Sequence, residues 1–71
     1  MEIRYDKDAD ALYIKLRDGS FSKNKRMDDL TIFDLDSKGN ILGIEILDAS
    51  KRISLKSIRE IRVKTPLAIA H

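Results

Sequence analysis

The sequence predicts a small α+β domain: an antiparallel sheet of β-hairpins and one short C-terminal helix, in the order β-β-β-β-α-β. Three observations predict it. Apolar residues recur with strand spacing in Met1–Tyr5, Ala11–Arg17, Leu30–Asp36 and Ile41–Asp48, each bounded by turn-forming residues. In Leu30–Ser50, LTIFDLDSKGNILGIEILDAS, two apolar runs flank a tight turn at Ser37–Asn40, where Gly39 readily takes the positive φ such turns need. Beyond it the spacing changes: Ser54 stands as an N-cap before Leu55, Ile58 and Ile61 at helical intervals.

The first two strands form a hairpin. Met1, Ile3 and Tyr5 share one side, and Leu12, Ile14 and Leu16 alternate with Ala11, Tyr13, Lys15 and Arg17. Asp6–Asp10 is the connecting turn, and Asp18-Gly19-Ser20 is the next. Phe21–Met27 is compatible with an edge strand guarded by Lys23 and Lys25, or with a loop. The next two strands, Leu30–Asp36 and Ile41–Asp48, follow. A two-residue turn at Lys38-Gly39 sets Phe33 opposite Ile44 and Leu35 opposite Leu42, whereas a bulge at Gly39 sets Phe33 opposite Gly43. The spacing admits both registers. Ile53 and Ile58 have the separation of a hydrophobic staple around the helix start. Ile61–Lys64 alternates and predicts a last strand ended by Thr65-Pro66, with residues 66–71 a loose tail on the single domain of residues 1–71.

Apolar residues fall on both faces of the central hairpin. Phe33, Leu35, Leu42, Ile44 and Ile46 oppose Leu30, Ile32, Ile41 and Leu47. An antiparallel sheet ordinarily leaves one face to water. One short helix covers one face, so the pattern predicts a partner chain or a second copy over Leu30, Ile32, Ile41 and Leu47. Length points the same way: 71 residues without cysteine have neither a large core nor a disulfide or thiolate–metal staple.

Composition narrows the function. Hydrophobic residues at 42% and charged residues at 37% describe a folded globular chain rather than a disordered one. No apolar run is long enough for a membrane span, and the first residues lack a signal-peptide core, so the expected location is the cytoplasm. The net charge of +2 divides unevenly, −3 over residues 1–50 and +5 over residues 51–71. Lys51, Arg52, Lys56, Arg59, Arg62 and Lys64 form a candidate basic patch for nucleic acid, without a recognition motif or a free aromatic platform beside it.

Catalytic residue types are scarce. The one histidine is His71, the final residue, and no serine has a placed base. Three glycines build no phosphate-cradling loop. Asp6, Asp8 and Asp10 resemble the opening of a calcium loop, but Ala11 and Arg17 stand where that loop needs glycine and glutamate. Asp34, Asp36 and Glu45 are the alternative: a carboxylate set for a metal-dependent hydrolase. The reading adopted assigns no catalytic, cofactor or metal residue and takes the chain as a non-enzymatic binding module.

Two blocks carry a resemblance. YDKDADALYIKL at Tyr5–Leu16 and DLDSKGNILGIEILDAS at Asp34–Ser50 resemble the small prokaryotic proteins of domain-of-unknown-function family 2283. Their pattern is Y-D-x-x-A-D-A-L-Y-I-x-L followed by D-x-D-x-x-G-x-x-x-G-I-E-I-L-x-A-S, and this chain follows it from Tyr5 to about Arg52. The resemblance implies a small β-rich fold, no established activity, and for some members an antitoxin-like setting beside a RelE-like ribonuclease toxin. It transfers no catalytic residue.

Overall fold

The structure is a computed structural model and describes residues 1–66. Five strands, β1 (Glu2–Asp6), β2 (Ala11–Lys15), β3 (Lys23–Asp28), β4 (Thr31–Leu35) and β5 (Ile41–Ile46), precede two short helices, α1 (Ala49–Arg52) and α2 (Leu55–Arg59). The strands make one open sheet in the order β1-β2-β5-β4-β3, with every neighbouring pair antiparallel. This is the α+β class the alternation predicts.

Of the two alternatives for Phe21–Met27 the edge strand holds, as β3 over Lys23–Asp28. Two details differ from expectation. Ile61–Lys64 forms no strand, and Ile61 and Val63 stand 53% and 84% exposed. A second helix, α1, follows β5, entered through Asp48 in the left-handed region at φ 50°. The expected loose tail, apart from Pro66, lies outside the described residues, as does His71.

Local chemistry explains the turns. Asp6 opens the β1–β2 turn, its Oδ1 accepting the N–H groups of Asp8 at 3.0 Å and Ala9 at 3.2 Å. Asp36 does the same at the β4–β5 turn, accepting from the Lys38 and Asn40 N–H groups, both at 2.9 Å, while Gly39 takes φ 85°. Ser54 caps α2 as its position predicts, accepting the Ser57 N–H at 3.1 Å.

The central hairpin combines parts of both predicted registers. Phe33 faces Ile44, as a two-residue turn requires, but Leu35 faces Ile41 because the register shifts between Asp34 and Leu35. Leu42 is the extra residue of that bulge. Its carbonyl accepts the Leu16 and Arg17 N–H groups at 2.8 and 3.3 Å, tying the β2–β3 connection to the start of β5. Gly19 lies on the Leu42 side chain so closely that a Cβ there would come 2.6 Å from Leu42 Cδ2.

The interior is small. Leu12, Ile32, Leu35, Leu42 and Ala49 are its buried apolar residues, between 0% and 7% exposed. The accessible surface is 5699 Å², against about 4,500 Å² for a compact monomer of this mass.

Candidate functional site

Register assigns each side chain to a face. One face carries two apolar rows: Ile3–Ile14–Ile44–Phe33, ended by Lys25, and Tyr5–Leu12–Ile46–Thr31. The opposite face carries Arg4–Tyr13–Glu45–Ile32–Arg26 and Glu2–Lys15–Gly43–Asp34–Asn24. The second apolar row sits at the helical end of the sheet. There Tyr5 lines a groove with Ser50, Leu55 and Ile58, and Leu12 is only 4% exposed. In the first row Ile3, Ile14, Ile44 and Phe33 all remain partly exposed.

The two blocks that carry the family pattern meet at two places. At the helical end, Asp10 holds the turn, in the left-handed region at φ 49°. Its Oδ1 accepts the Tyr5 hydroxyl at 2.7 Å and the Ser50 N–H at 3.0 Å, and its Oδ2 accepts the Ser50 hydroxyl at 2.7 Å. The Asp10 carbonyl accepts the N–H of fully buried Ala49 at 2.9 Å. One aspartate thus joins the first hairpin to α1, 40 residues later.

The second meeting point is on the polar face. Tyr13 lies across Gly43, and its hydroxyl donates to Asp34 Oδ2 at 3.1 Å. A Cβ on Gly43 would come 2.6 Å from Tyr13 Cζ, so glycine makes room for the ring. The Arg4 guanidinium stands 5.7 Å from the Tyr13 ring centre, within cation–π range. The tyrosine, glycine and aspartate of the pattern therefore form a clasp across β2, β5 and β4.

Titration follows from these bonds. The Tyr5 hydroxyl, with the Ser50 hydroxyl and N–H, holds the Asp10 carboxyl below its ordinary 3.8. The same Tyr5–Asp10 bond raises the tyrosine above its ordinary 10.0. Burial, then the bond to Asp34, raises Tyr13. Asp10 has a lower pKa folded than unfolded, so the unfolded chain binds more protons in the acid range. Its contribution to stability is complete above pH 3.8 and disappears as pH falls below that through the lower folded value. Tyr5 behaves oppositely: its contribution is complete below pH 10.0 and is lost as pH rises through the raised folded value. Asp10→Asn should flatten the acid limb of the stability profile without abolishing it, because Asp18, Asp28 and Asp36 are also lowered by hydrogen bonds. Thermal melts of both proteins between pH 3 and pH 7 provide the comparison, bracketing the carboxylate range of about 3.5–4.5. An unchanged acid limb would mean that Asp10 is not held by these bonds.

Four of the six carboxylates singled out in the sequence have structural partners. Asp6 and Asp36 close turns, Asp10 anchors α1, and Asp34 accepts from Tyr13. Asp34 and Glu45 share the polar face, while Asp36 belongs to the turn beyond β4. Among the described residues, no three of His, Cys, Asp and Glu are arranged to hold a metal ion.

The basic set is dispersed. Lys51 and Arg52 belong to α1, Lys56 and Arg59 to α2, and Arg62 and Lys64 to the stretch after it. Arg52 is engaged, donating to the Leu30 carbonyl at 3.1 Å and the Thr31 hydroxyl at 3.0 Å. Of the four residues marked as an interface, Leu30 and Leu47 are adjacent, linked by a 2.8 Å backbone bond. Ile32 is 7% exposed within the single chain, between Glu45 and Arg26, and Ile41 stands at the far end of β5 with 39% exposure. They do not form one exposed patch. The partly exposed row Ile3–Ile14–Ile44–Phe33 is the continuous apolar strip, and Ile3 and Ile14 join it from a hairpin that local sequence does not place beside β5.

No helix among the described residues is long and apolar enough to cross a membrane. No curated protein and no solved structure matches the chain. The family model described as "Protein of unknown function (DUF2283)" matches residues 2–50, a span that contains all five strands, the Tyr5–Asp10–Ser50 anchor and the Tyr13–Gly43–Asp34 clasp. With most of its length matched, the chain belongs to this family.

Proposed function

We propose that the chain is a protein-binding module whose working surface is the apolar side of the sheet, and that its partner is a RelE-like ribonuclease toxin. The observation carrying the binding reading is the row Ile3–Ile14–Ile44–Phe33, four apolar side chains across four strands, all partly exposed. Each large aliphatic side chain gains roughly 1.5–3 kcal/mol on full burial, so this row offers a strong incentive to dock. Tyr5, Asp6, Asp10, Tyr13, Asp34, Asp36 and Ser50 of the family pattern support the reading from the other direction, since they are occupied in turns, the anchor and the clasp. The toxin as partner rests on the family resemblance.

Titrating the chain with the RelE-like toxin by calorimetry tests both levels. The wild type should bind, and Ile44→Asp should bind at least about tenfold more weakly, because it places a carboxylate in an apolar contact. Its far-ultraviolet spectrum should be unchanged, since Ile44 is only partly buried. No binding by the wild type would remove the toxin as partner. Equal binding by the variant would remove the apolar row as the surface.

A further inference from the structure

The two edges of the sheet are built differently. β3 is exposed along its whole length, carries Lys23, Lys25 and Arg26, and breaks register between Arg26 and Asp28. Cations and a bulge are devices that discourage further pairing. β1, at the other edge, has neither a bulge nor a proline: Glu2–Asp6 pairs residue by residue with β2, and among the described elements it pairs with nothing else. Its outer N–H and C=O groups form an open ladder, and Met1 beside it is 85% exposed.

We infer that β1 pairs antiparallel with β1 of a second copy, about a twofold axis through Ile3, to give a continuous ten-stranded sheet. The sequence around Ile3 is self-complementary in this register, whereas an axis through Tyr5, which also pairs Arg4 with Asp6, sets Ile3 against Lys7 on the apolar face. Glu2 of one copy faces Arg4 of the other, twice, on the polar face. Ile3 faces Ile3 and Met1 faces Tyr5 on the apolar face. Moving the axis one residue to Arg4 sets Arg4 against Arg4 and Glu2 against Asp6, which are like charges directly opposite one another. Glu2 and Arg4 already attract within one chain, at 3.4 Å, and both are more than half exposed, so they are available to a neighbour. The joint also preserves facing. A twofold axis perpendicular to the sheet keeps each face on its own side. The row Phe33–Ile44–Ile14–Ile3 then runs on into Ile3–Ile14–Ile44–Phe33 of the second copy, doubling the length of the apolar strip.

This joint goes beyond the binding reading and is tested separately from it. Two C-terminally tagged variants suffice. Glu2→Arg sets cations against cations at both crossing positions, and Arg4→Glu sets carboxylates against carboxylates. Sedimentation equilibrium should find the wild type dimerising, each variant alone at least about tenfold weaker, and an equimolar mixture restored to within about threefold as a heterodimer, since opposite charges then meet at both positions. Arg4→Lys, which keeps the charge, should dimerise like the wild type, and melting curves of all four chains control for folding. A wild type that stays monomeric at millimolar concentration would overturn the joint. So would variants that dimerise as the wild type does, or a mixture that forms no heterodimer. A dimer abolished by Ile44→Asp and insensitive to these charges would place the contact on the sheet face instead and leave β1 unpaired.

Discussion

Leu42→Ala should lower the unfolding free energy by about 3 kcal/mol, within the 2–5 kcal/mol span of buried leucine truncations. Leu42 is 5% exposed, so its removed carbons lose nearly all their transfer free energy and leave a cavity. Relaxation into that cavity is restricted from two sides. The backbone of residue 42 is fixed by its carbonyl accepting from both Leu16 and Arg17, and by the bulge opposite Leu35. Gly19 covers the side chain without one of its own to swing inward. At roughly 0.05–0.15 kcal/mol per residue, a domain of this length holds about 4–10 kcal/mol in all. The substitution therefore removes a large fraction of it. Urea titration should show a much lower midpoint with an unchanged slope, because the surface exposed on unfolding is nearly the same. A loss below about 1 kcal/mol would mean that Leu42 is not a core residue.

Gly43→Ala should cost about 1–3 kcal/mol, the usual range for forcing extra volume into a packed contact. That sign is contrary to propensity, since alanine in a strand interior is ordinarily better than glycine by about 0.5–1 kcal/mol. The reversal comes from Tyr13, whose ring occupies the space a Cβ would take, with Cζ 2.6 Å from it. To accommodate alanine, the ring must swing away and release Asp34, now 3.1 Å from its hydroxyl. In a Tyr13→Ala background the obstruction is gone, and Gly43→Ala should become neutral or stabilising. A coupling energy of about 1–3 kcal/mol in the double-mutant cycle is the expected result, and additivity would contradict the clasp.

The sequence is informative where one residue decides a local conformation. Ser54 as an N-cap and Asp6 and Asp36 at turns follow from short-range chemistry, whereas the pairing of Phe33 with Ile44 is one of two registers the spacing admits. The bulge at Leu42 does not, because it is imposed by a connection from another part of the chain. Strand β3 was ambiguous for a related reason: every residue in it is exposed, so no buried side chain marks its period. Ile61–Lys64 shows the converse, since alternation makes a strand only where a sheet edge accepts it. The proposed working surface is the least legible feature. Leu30, Ile32, Ile41 and Leu47 looked available when the central hairpin was considered alone. The order β1-β2-β5-β4-β3 adds Ile14 and Ile3 to Ile44 and Phe33, and so moves the extended apolar strip to the other face. The Asp10 anchor was equally hidden, because Tyr5, Asp10 and Ser50 come together only when the first hairpin meets the end of β5.

The most direct test of which face binds is methyl NMR of the isoleucine-labelled chain with a soluble paramagnetic agent, with and without the RelE-like toxin. In the free chain, the Ile14 and Ile44 methyls should broaden more than that of Ile32, which is 7% exposed. Adding the toxin should protect Ile14 and Ile44 and leave Ile41, at the far end of β5, accessible. Protection of Ile41 with Ile14 and Ile44 still broadened would place the binding surface elsewhere and contradict the account.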